Sequence, residues 1–207
     1  RYITEEMWKN LAVRHRNGDR LDLTVRHVPR DNMVFWMSGE DEQAGQRTSN
    51  VVLDTKVPVK NELDETLTSW IDVKSRVGEP KPGIYQVELG AQQKSATARL
   101  LVTDINLVVK KAAPPPDAEW SRNVLVWARD METNEAMRGI EIKTIRRSGD
   151  VLSRCETGAN GGCRLKLPPK RIDPSPPFAI VAQRGEDITY LKYSELKSEL
   201  LQGDLHG

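Results

Sequence analysis

The stretch "LAVRHRNGDRLDLTVRHV", residues 11–28, shows the pattern that decides the fold. Apolar and polar residues alternate along 20–28, and an alternation with a period of two is typical of a strand with one buried face. The dipeptide Asn17-Gly18 in the middle is a strong signal for a tight hairpin turn. The stretch therefore predicts two strands joined as an antiparallel hairpin. The inward face of the second strand would carry Leu21, Leu23, Val25 and His27.

The same alternation recurs through the rest of the first half of the chain. Together with the opening pair it predicts about six strands, and the further runs are 50–59, 66–75, 83–90 and 95–103. Two short helices are predicted as well. Thr4 can cap the first, "EEMWKN", and the second, "DNMVFWMSG" (31–39), begins at Asp31 or Asn32 and stops at Gly39.

The second half contains seven strand-like runs separated by turn signals at the spacing typical of antiparallel sandwiches. The runs are 106–112, 123–130, 139–147, 150–156, 162–168, 177–184 and 187–193. The last stretch, 194–202, has a helical pattern. A seven-strand count needs 106–112 as its first strand, so we place the domain boundary at Thr103-Asp104. The predicted fold is all-β: two tandem antiparallel β-sandwich domains, 1–103 and 104–207, with short helical insertions.

The composition excludes several classes of function. The 31 basic and 30 acidic residues leave a net charge of +1, which gives no field for binding nucleic acid or a membrane surface. Aromatic residues make up 5% of the 207 residues, too few for a base-stacking platform. No run of 18 apolar residues occurs, so we expect no membrane span. The chain begins at Arg1-Tyr2-Ile3 without an initiator Met, and we interpret it as a segment of a longer protein.

Both cysteines lie in "CETGANGGC", residues 155–163. A zinc site would need four ligands, with pairs typically at C-x(2–4)-C, and the three histidines are distant in sequence. A thioredoxin-like centre would need C-x-x-C before a helix. A phosphate cradle would need a glycine-rich loop between a strand and a helix, with Lys-Ser or Lys-Thr. The remaining interpretation is a hairpin turn, "TGANG", with one cysteine on each flank.

No other residues combine into a catalytic, cofactor or metal site. No G-x-S-x-G elbow occurs, and Ser121, Ser148 and Ser153 are interpreted as exposed hydroxyls. His27 is expected at the edge of the core, and His15 in solvent on a charged hairpin. The carboxylates of 40–42 and 186–187 are expected to be solvated loop charges, not a glycosidase pair. Core packing is the preferred account of the aromatic residues Phe35, Trp36, Trp70, Trp120 and Trp127, whereas Trp8 is left open because its helix could dock on another part of the protein.

Four stretches of the second half resemble the third macroglobulin-like domain of bacterial alpha-2-macroglobulins in their order and spacing. They are "LLVTDINLVVKK" (100–111), "LVWARDMETNEAMRGIEI" (125–142), "VLSRCETGANGGCRL" (151–165) and "AIVAQRGEDITYL" (179–191). Upstream, "PGIYQVELG" (82–90) resembles the strand that closes the preceding domain of the family, and 21–39 resembles its opening. Gly158 and Glu186 stand where the family often has Asp, and "TNEAM" replaces its Thr-Gly-Lys-Pro turn.

The resemblance implies a macroglobulin-like scaffold in a large periplasmic protein, often lipid-anchored to the inner membrane, that traps proteases broadly. In that family the working parts are a cleavable bait region and a Cys-x-Glu-Gln thioester, and neither cysteine here has that context. The chain would then be no enzyme and need no cofactor. Its partners would be other macroglobulin-like domains of the same chain and, through the full-length protein, target proteases. The alternative is a cell-surface adhesin or a carbohydrate-binding sandwich tandem.

A periplasmic location would also allow oxidation of the two cysteines. Facing residues of a hairpin lie at a distance that a disulfide spans. We therefore expect a structural disulfide between Cys155 and Cys163, and the alternative is two free thiols packed as small apolar groups.

Overall fold

The computed structural model describes residues 2–3, 6–38, 47–78, 81–91, 94–111, 122–168 and 177–196. The chain forms two compact units, Arg1–Asp104 and Ile105–Gly207. Both are built mainly from antiparallel strand pairs, so the predicted all-β class is confirmed.

The first unit is a five-stranded sheet packed against a two-stranded sheet. The large sheet has the order β1-β7-β6-β3-β4, and the small sheet consists of β2 and β5. All neighbouring strands are antiparallel except β1 and β7. The strands are β1 (Tyr2–Ile3), β2 (Leu11–Arg16), β3 (Arg20–Val28), β4 (Asn50–Pro58), β5 (Thr66–Ile71), β6 (Gly83–Ala91) and β7 (Lys94–Val102).

The apolar face predicted for 20–28 is present and forms the centre of this unit's core. Leu23 and Val25 are fully buried, Leu21 is nearly so, and His27 at the end of the strand is half-buried. Packed around them are Trp8, Val13, Val57, Ile71, Val73, Tyr85, Val87, Leu100 and Val102.

The helical segments of the first unit are short. The predicted helix after Thr4 is one 3₁₀ turn, Glu6–Lys9, and the Thr4 cap lies outside the described residues. The second predicted helix consists of a 3₁₀ turn, Arg30–Asn32, that continues into α1 (Met33–Ser38). A further single turn, α2 (Lys74–Val77), begins three residues after β5.

The predicted hairpin at Asn17-Gly18 is wrong. β2 pairs with β5 in the small sheet, whereas β3 pairs with β4 and β6 in the large sheet, so the turn crosses from one sheet to the other. A tight type I′ hairpin needs positive φ at both central residues, and only Asn17 has it, at 54°. The Asn17 side chain binds Asp64 instead: its Oδ1 accepts from the Asp64 backbone N–H at 2.6 Å, and its Nδ2 donates to the Asp64 carboxylate at 3.1 Å.

The described part of the second unit contains seven strands in two sheets, at the positions that the sequence predicts to within two residues. One sheet has the order β12-β9-β8 and the other β11-β10-β13-β14. The strands are β8 (Ile105–Lys111), β9 (Arg122–Asp130), β10 (Glu141–Ile145), β11 (Val151–Glu156), β12 (Gly162–Leu167), β13 (Ala179–Arg184) and β14 (Asp187–Lys192). Of the predicted C-terminal helix the described part is one 3₁₀ turn, Tyr193–Glu195, and the rest lies outside the described residues.

The fourth strand determines the variant of the sandwich. In a constant-type immunoglobulin domain the fourth strand lies in the sheet of the first, second and fifth strands. Here β11 pairs with β10 instead, across the pairs Glu141↔Glu156 to Ile145↔Val151, and belongs to the opposite sheet. The chain must therefore change sheets between β11 and β12. That crossing contains the cysteine loop, so the predicted hairpin between 150–156 and 162–168 is wrong.

Thr157 anchors this crossing. Its side chain is buried, and its hydroxyl donates to the Met137 carbonyl at 2.6 Å and accepts from the Ile140 N–H at 2.9 Å. Its backbone N–H and carbonyl also bond to the same loop, to Ile140 O and Gly139 N. A buried hydroxyl is stabilising only when its hydrogen bonds are made, and here all of them hold the crossing against residues 137–140.

Gly161 lets the crossing pass close to β9. Its φ is +72°, and its carbonyl accepts from the Ala128 N–H at 2.9 Å. A Cβ at this position would lie 2.6 Å from the Ala128 carbonyl oxygen and 3.2 Å from Met137 N. Both contacts are with backbone, which cannot rotate away, so this position requires glycine.

We predict that Gly161→Ala lowers the free energy of unfolding by about 2–4 kcal/mol, since it adds a backbone clash to an unfavourable φ. Gly149→Ala is the matched control, because Gly149 also has a positive φ, +90°, but open space around it. The control should cost about 1 kcal/mol. Urea unfolding followed by circular dichroism measures both, and equal losses would contradict the close approach.

Candidate functional site

The disulfide lies at the corner where the chain changes sheets. Cys155 and Cys163 are bonded, with their Cα atoms 6.0 Å apart. Cys155 stands opposite Ile142 in the four-stranded sheet, and Cys163 opposite Val126 in the three-stranded sheet. Both cysteines pack against the core of the second unit. The bond therefore ties one sheet to the other, and is not the cross-strand bond of a hairpin that the sequence suggested.

This pairing determines what the cysteines can do chemically. They are the chain's two cysteines, and no free thiol remains. A sulfur held in a disulfide is neither a nucleophile nor a metal ligand, since both reactions need the thiolate. It is equally unable to form a thioester. The cysteine loop is therefore a structural element of the fold.

The serine and carboxylate candidates do not meet in a site. Ser148 donates to the Asp150 carboxylate at 2.7 Å within one exposed turn. Ser153 lies on β11, and Ser121 and the carboxylates of 40–42 lie outside the described residues. The expectation for 186–187 holds for Glu186, which is exposed, and is wrong for Asp187, which is buried at the start of β14.

His15 is buried, so the expectation that it is solvated is wrong. The error follows from the hairpin error: β2 pairs with β5, and this pairing turns His15 toward the interior of the sandwich. Its Nε2 lies 2.8 Å from the Ser69 hydroxyl, and its Nδ1 is buried without a hydrogen-bond partner among the described residues.

His27 lies at the edge of the core, as predicted, in a polar–aromatic cluster. Its ring contacts Tyr85 with a centroid separation of 4.9 Å. Burial lowers the pKa of His27 from its ordinary value, and the charge of Lys81 lowers it further. Burial also raises the pKa of Tyr85 to about 12, and its hydroxyl donates a hydrogen bond to the Lys81 carbonyl at 2.8 Å. Both side chains are therefore neutral at physiological pH.

The tryptophans divide between core and surface. Trp8 is buried within its own unit, 5.0 Å from the Tyr85 ring centroid. Trp36 is buried beneath the guanidinium of Arg99, whereas Trp127 is half-buried. Trp70 is 68% exposed on β5, so its prediction as a core residue is wrong. Trp120 and the Phe35 side chain lie outside the described residues.

A groove in the first unit lies beside β2, and we call it the β2 groove. Its volume is about 420 Å³. One wall is the consecutive run Val13–Gly18, and the floor is the end of the β6–β7 hairpin. The residues that line it are Val13, Arg14, His15, Arg16, Asn17, Gly18, Leu21, Leu89, Gly90, Ala91, Lys94, Ser95 and Ala96.

A second cavity, of about 530 Å³, lies in the second unit. Its lining combines the turn Arg146–Ser148 with Pro177, Phe178, Tyr193 and Ser194. Among the described residues, no cluster of His, Cys, Asp or Glu has the arrangement of a metal site. No helix in the described ranges is long and apolar enough to cross a bilayer.

The two β-sandwich units in tandem align with solved macroglobulin structures. A crystal structure of native Escherichia coli alpha-2-macroglobulin spanning domains NIE-MG1 aligns at 13% identity over 89% of this chain and 88% of that one, with a TM-score of 0.72. A mutant of Salmonella alpha-2-macroglobulin aligns at 16% identity over 96% of this chain and 12% of that chain, with a TM-score of 0.63. The cryo-EM native conformation of the Escherichia coli protein aligns at 13% identity over 91% of this chain and 12% of that chain, with a TM-score of 0.62.

At these identities the structural likeness shows the fold alone, which defines the class as a macroglobulin-like tandem. The family follows from the sequence: the model for the bacterial alpha-2-macroglobulin MG3 domain matches residues 102–207, just over half of the chain. The chain therefore belongs to the bacterial alpha-2-macroglobulin family. No curated protein matches the sequence significantly.

We predict that Cys155→Ala/Cys163→Ala lowers the free energy of unfolding by roughly 2–3 kcal/mol, mainly because the nine-residue closed loop no longer restricts the unfolded chain. Urea unfolding with and without dithiothreitol measures this. The wild-type protein should fall to the stability of the double variant in reductant, and the variant should not respond to reductant. A reductant response of the variant would contradict the assignment.

The His27 environment predicts a dependence of stability on pH. The folded protein holds this imidazole at a pKa below its unfolded value of about 6.5. As the pH falls below 6.5 the unfolded state takes up the proton first, so the stability contributed at neutral pH is lost. We expect His27→Gln to reduce the loss of stability between about pH 7.5 and 5.5 relative to wild type. Urea unfolding at both values tests this, and an unchanged difference would contradict it.

Proposed function

We propose that this chain is a scaffold segment of a broad-spectrum protease trap of the bacterial cell envelope. The observation that supports this proposal most directly is the match of residues 102–207 to the bacterial alpha-2-macroglobulin MG3 domain, in a chain whose two cysteines are bonded to each other. Any bait region or thioester of the full protein would then lie outside this sequence. The role of these domains would be to hold other macroglobulin-like domains in place, not to react.

The size of the relatives supports a role as one part of a larger machine. The chain spans about 12% of the length of the long Escherichia coli and Salmonella alpha-2-macroglobulin chains that it matches. Trapping, protease partners and any lipid anchor would therefore be properties of the longer protein.

The disulfide supports a location in the periplasm. Disulfides form and persist in oxidising compartments and are rare in the reducing cytosol. The Cys155–Cys163 bond lies at a corner of the fold and has no redox partner motif, which fits a structural role. The adhesin alternative has less support, because Trp70 stands alone as an exposed tryptophan among the described residues and forms no aromatic platform.

The first experiment looks for the protein in its source bacterium with an antibody raised against this chain. The antigen should appear in the periplasmic fraction on a polypeptide much larger than 23.4 kDa. Adding trypsin or elastase to that fraction should move the antigen into a protease-containing complex on native gels. A cytosolic antigen, or one that never associates with a protease, would overturn the proposal.

The second experiment tests the isolated chain. Since it has no free cysteine and only a scaffold role is proposed, a molar excess should leave trypsin and elastase fully active on casein. Saturable, stoichiometric protection of casein would show that an inhibitory element lies within these residues. A heat-denatured sample of the chain serves as the control for nonspecific competition by substrate.

A further inference from the structure

The two sheets of the first unit are unequal, and β2 has a free edge. Within the described ranges, five strands form one sheet and two strands, β2 and β5, form the other. Apart from the β2–β5 ladder, no backbone hydrogen bond within the described part of the chain reaches Leu11–Arg16. Along an antiparallel strand the residues alternate: the N–H and carbonyl of one residue point to one side of the strand, and those of the next residue point to the other side. About half of the backbone groups of β2 therefore face away from β5.

The β2 groove runs along this free edge. A groove over one face of a strand would contact alternate residues, but this groove is lined by the consecutive residues Val13 to Gly18. No residue of β5 lines it, so it lies on the side of β2 away from β5. Four residues of this run, Val13–Arg16, belong to β2 and offer about 13 Å of strand length.

The floor of the groove is apolar and sterically open. Leu89 of β6 stands opposite Ala96 of β7, and Leu89 is half-buried whereas Ala96 is exposed. Gly90, Ala91 and Ser95 are also small. An added strand beside β2 would cover this floor and extend the small sheet from two strands to three.

The charged residues that are described as lining the β2 groove are all basic. Arg14, Arg16 and Lys94 line it, and no acidic residue is among its described lining residues. Arg16 is partly neutralised by Asp64, at 3.4 Å. Arg14 and Lys94 are exposed and form no ion pair with another described residue. The groove therefore favours an acidic occupant.

A second copy of this chain fits the edge poorly. Antiparallel pairing of β2 with β2 would bring Arg14 and Arg16 of one copy near the same residues of the other, and like charges at cross-strand positions are destabilising. The pairing needs a strand of different sequence.

We propose that the β2 groove binds an extended segment of a separate polypeptide in which acidic and β-branched residues alternate. The segment pairs through its backbone with the free edge of β2, and its apolar side chains cover Leu89, Ala91 and Ala96. Its carboxylates lie on the exposed face beside Arg14, and Lys94 at the start of β7 adds positive charge at the end of the groove. This is strand addition, in which backbone hydrogen bonds provide affinity and alternate side chains provide selectivity. It does not depend on the protease-trap proposal.

The test uses the 207-residue chain and a peptide labelled with fluorescein at its N-terminus, fluoresceinyl-Glu-Val-Thr-Val-Glu-Val-Asp-Thr-amide. Fluorescence anisotropy should show saturable binding that weakens as salt is raised. The same peptide with lysine in place of its acidic residues should bind at least about tenfold more weakly. A version N-methylated at alternate amides should also lose binding, because it cannot complete the ladder.

Variants of the protein locate the site. Arg14→Glu/Lys94→Glu should weaken binding at least about tenfold, and Ala96→Trp should block the groove. Lys110→Glu/Lys166→Glu is the matched control, since it makes the same change in net charge on exposed strand positions of the second unit. Its affinity should stay within about twofold of wild type. Circular dichroism confirms that each variant is folded.

Hydrogen exchange gives a readout specific to strand addition. At saturation the alternate β2 amides that face the groove should exchange at least about tenfold more slowly. No binding at about 1 mM peptide, equal binding of the lysine peptide, or binding without protection of β2 would overturn the proposal. Concentration-dependent dimerisation through β2, seen by analytical ultracentrifugation and abolished by Ala96→Trp, would also overturn it in favour of a second copy.

Discussion

The second unit depends on the buried hydroxyl of Thr157. Residues 137–140 and the crossing from β11 to β12 are both irregular, and each has backbone polar groups that no sheet satisfies. Thr157 satisfies backbone groups of both segments, because its hydroxyl and its own backbone form hydrogen bonds to Met137, Gly139 and Ile140. With that junction fixed, Gly161 can approach β9 and the cysteines come within bonding distance. The disulfide thus follows from a corner that hydrogen bonds have already shaped.

The two units share one way of connecting strands. At Asn17 and again at Cys155–Cys163, a glycine-containing turn carries the chain from one sheet to the other and not back along the same sheet. The Asn17–Asp64 hydrogen bonds and the Thr157 hydrogen bonds hold these crossings. Crossings of this kind place sequential strands on opposite sides of the core. They also make each sandwich depend on a few polar contacts, which are exposed at Asn17 and buried at Thr157.

The strands were predictable from sequence, and their partners at these two crossings were not. Alternation reports that one face of a segment is buried, which is why 20–28 and the seven runs of the second half were found. A turn signal reports only that the chain bends. Asn and Gly permit a hairpin and a crossing equally, and the choice is made by contacts distant in sequence, such as Asp64 for Asn17. His15 and Trp70 were misplaced for the same reason, since the face that a residue of β2 or β5 presents depends on the sheet in which it pairs.

The cysteine pair was predictable from its spacing and sequence context, but its position between two sheets was not. The β2 groove had no signal in the sequence, because a free edge exists only once every other strand has been assigned.

The short span of the disulfide has a mechanical consequence. The bond joins residues separated by eight positions, with Cα atoms 6.0 Å apart. A fully extended segment of that length spans at most about 29 Å. With its ends held 6.0 Å apart by the disulfide, the segment can lengthen by about 23 Å less than it could without the bond. A polypeptide pulled from both ends of this unit would still extend through almost all of its remaining residues. The disulfide therefore fixes the two sheets relative to each other at one corner of the folded unit. It has almost no effect on the maximum length that the unfolded unit reaches under tension.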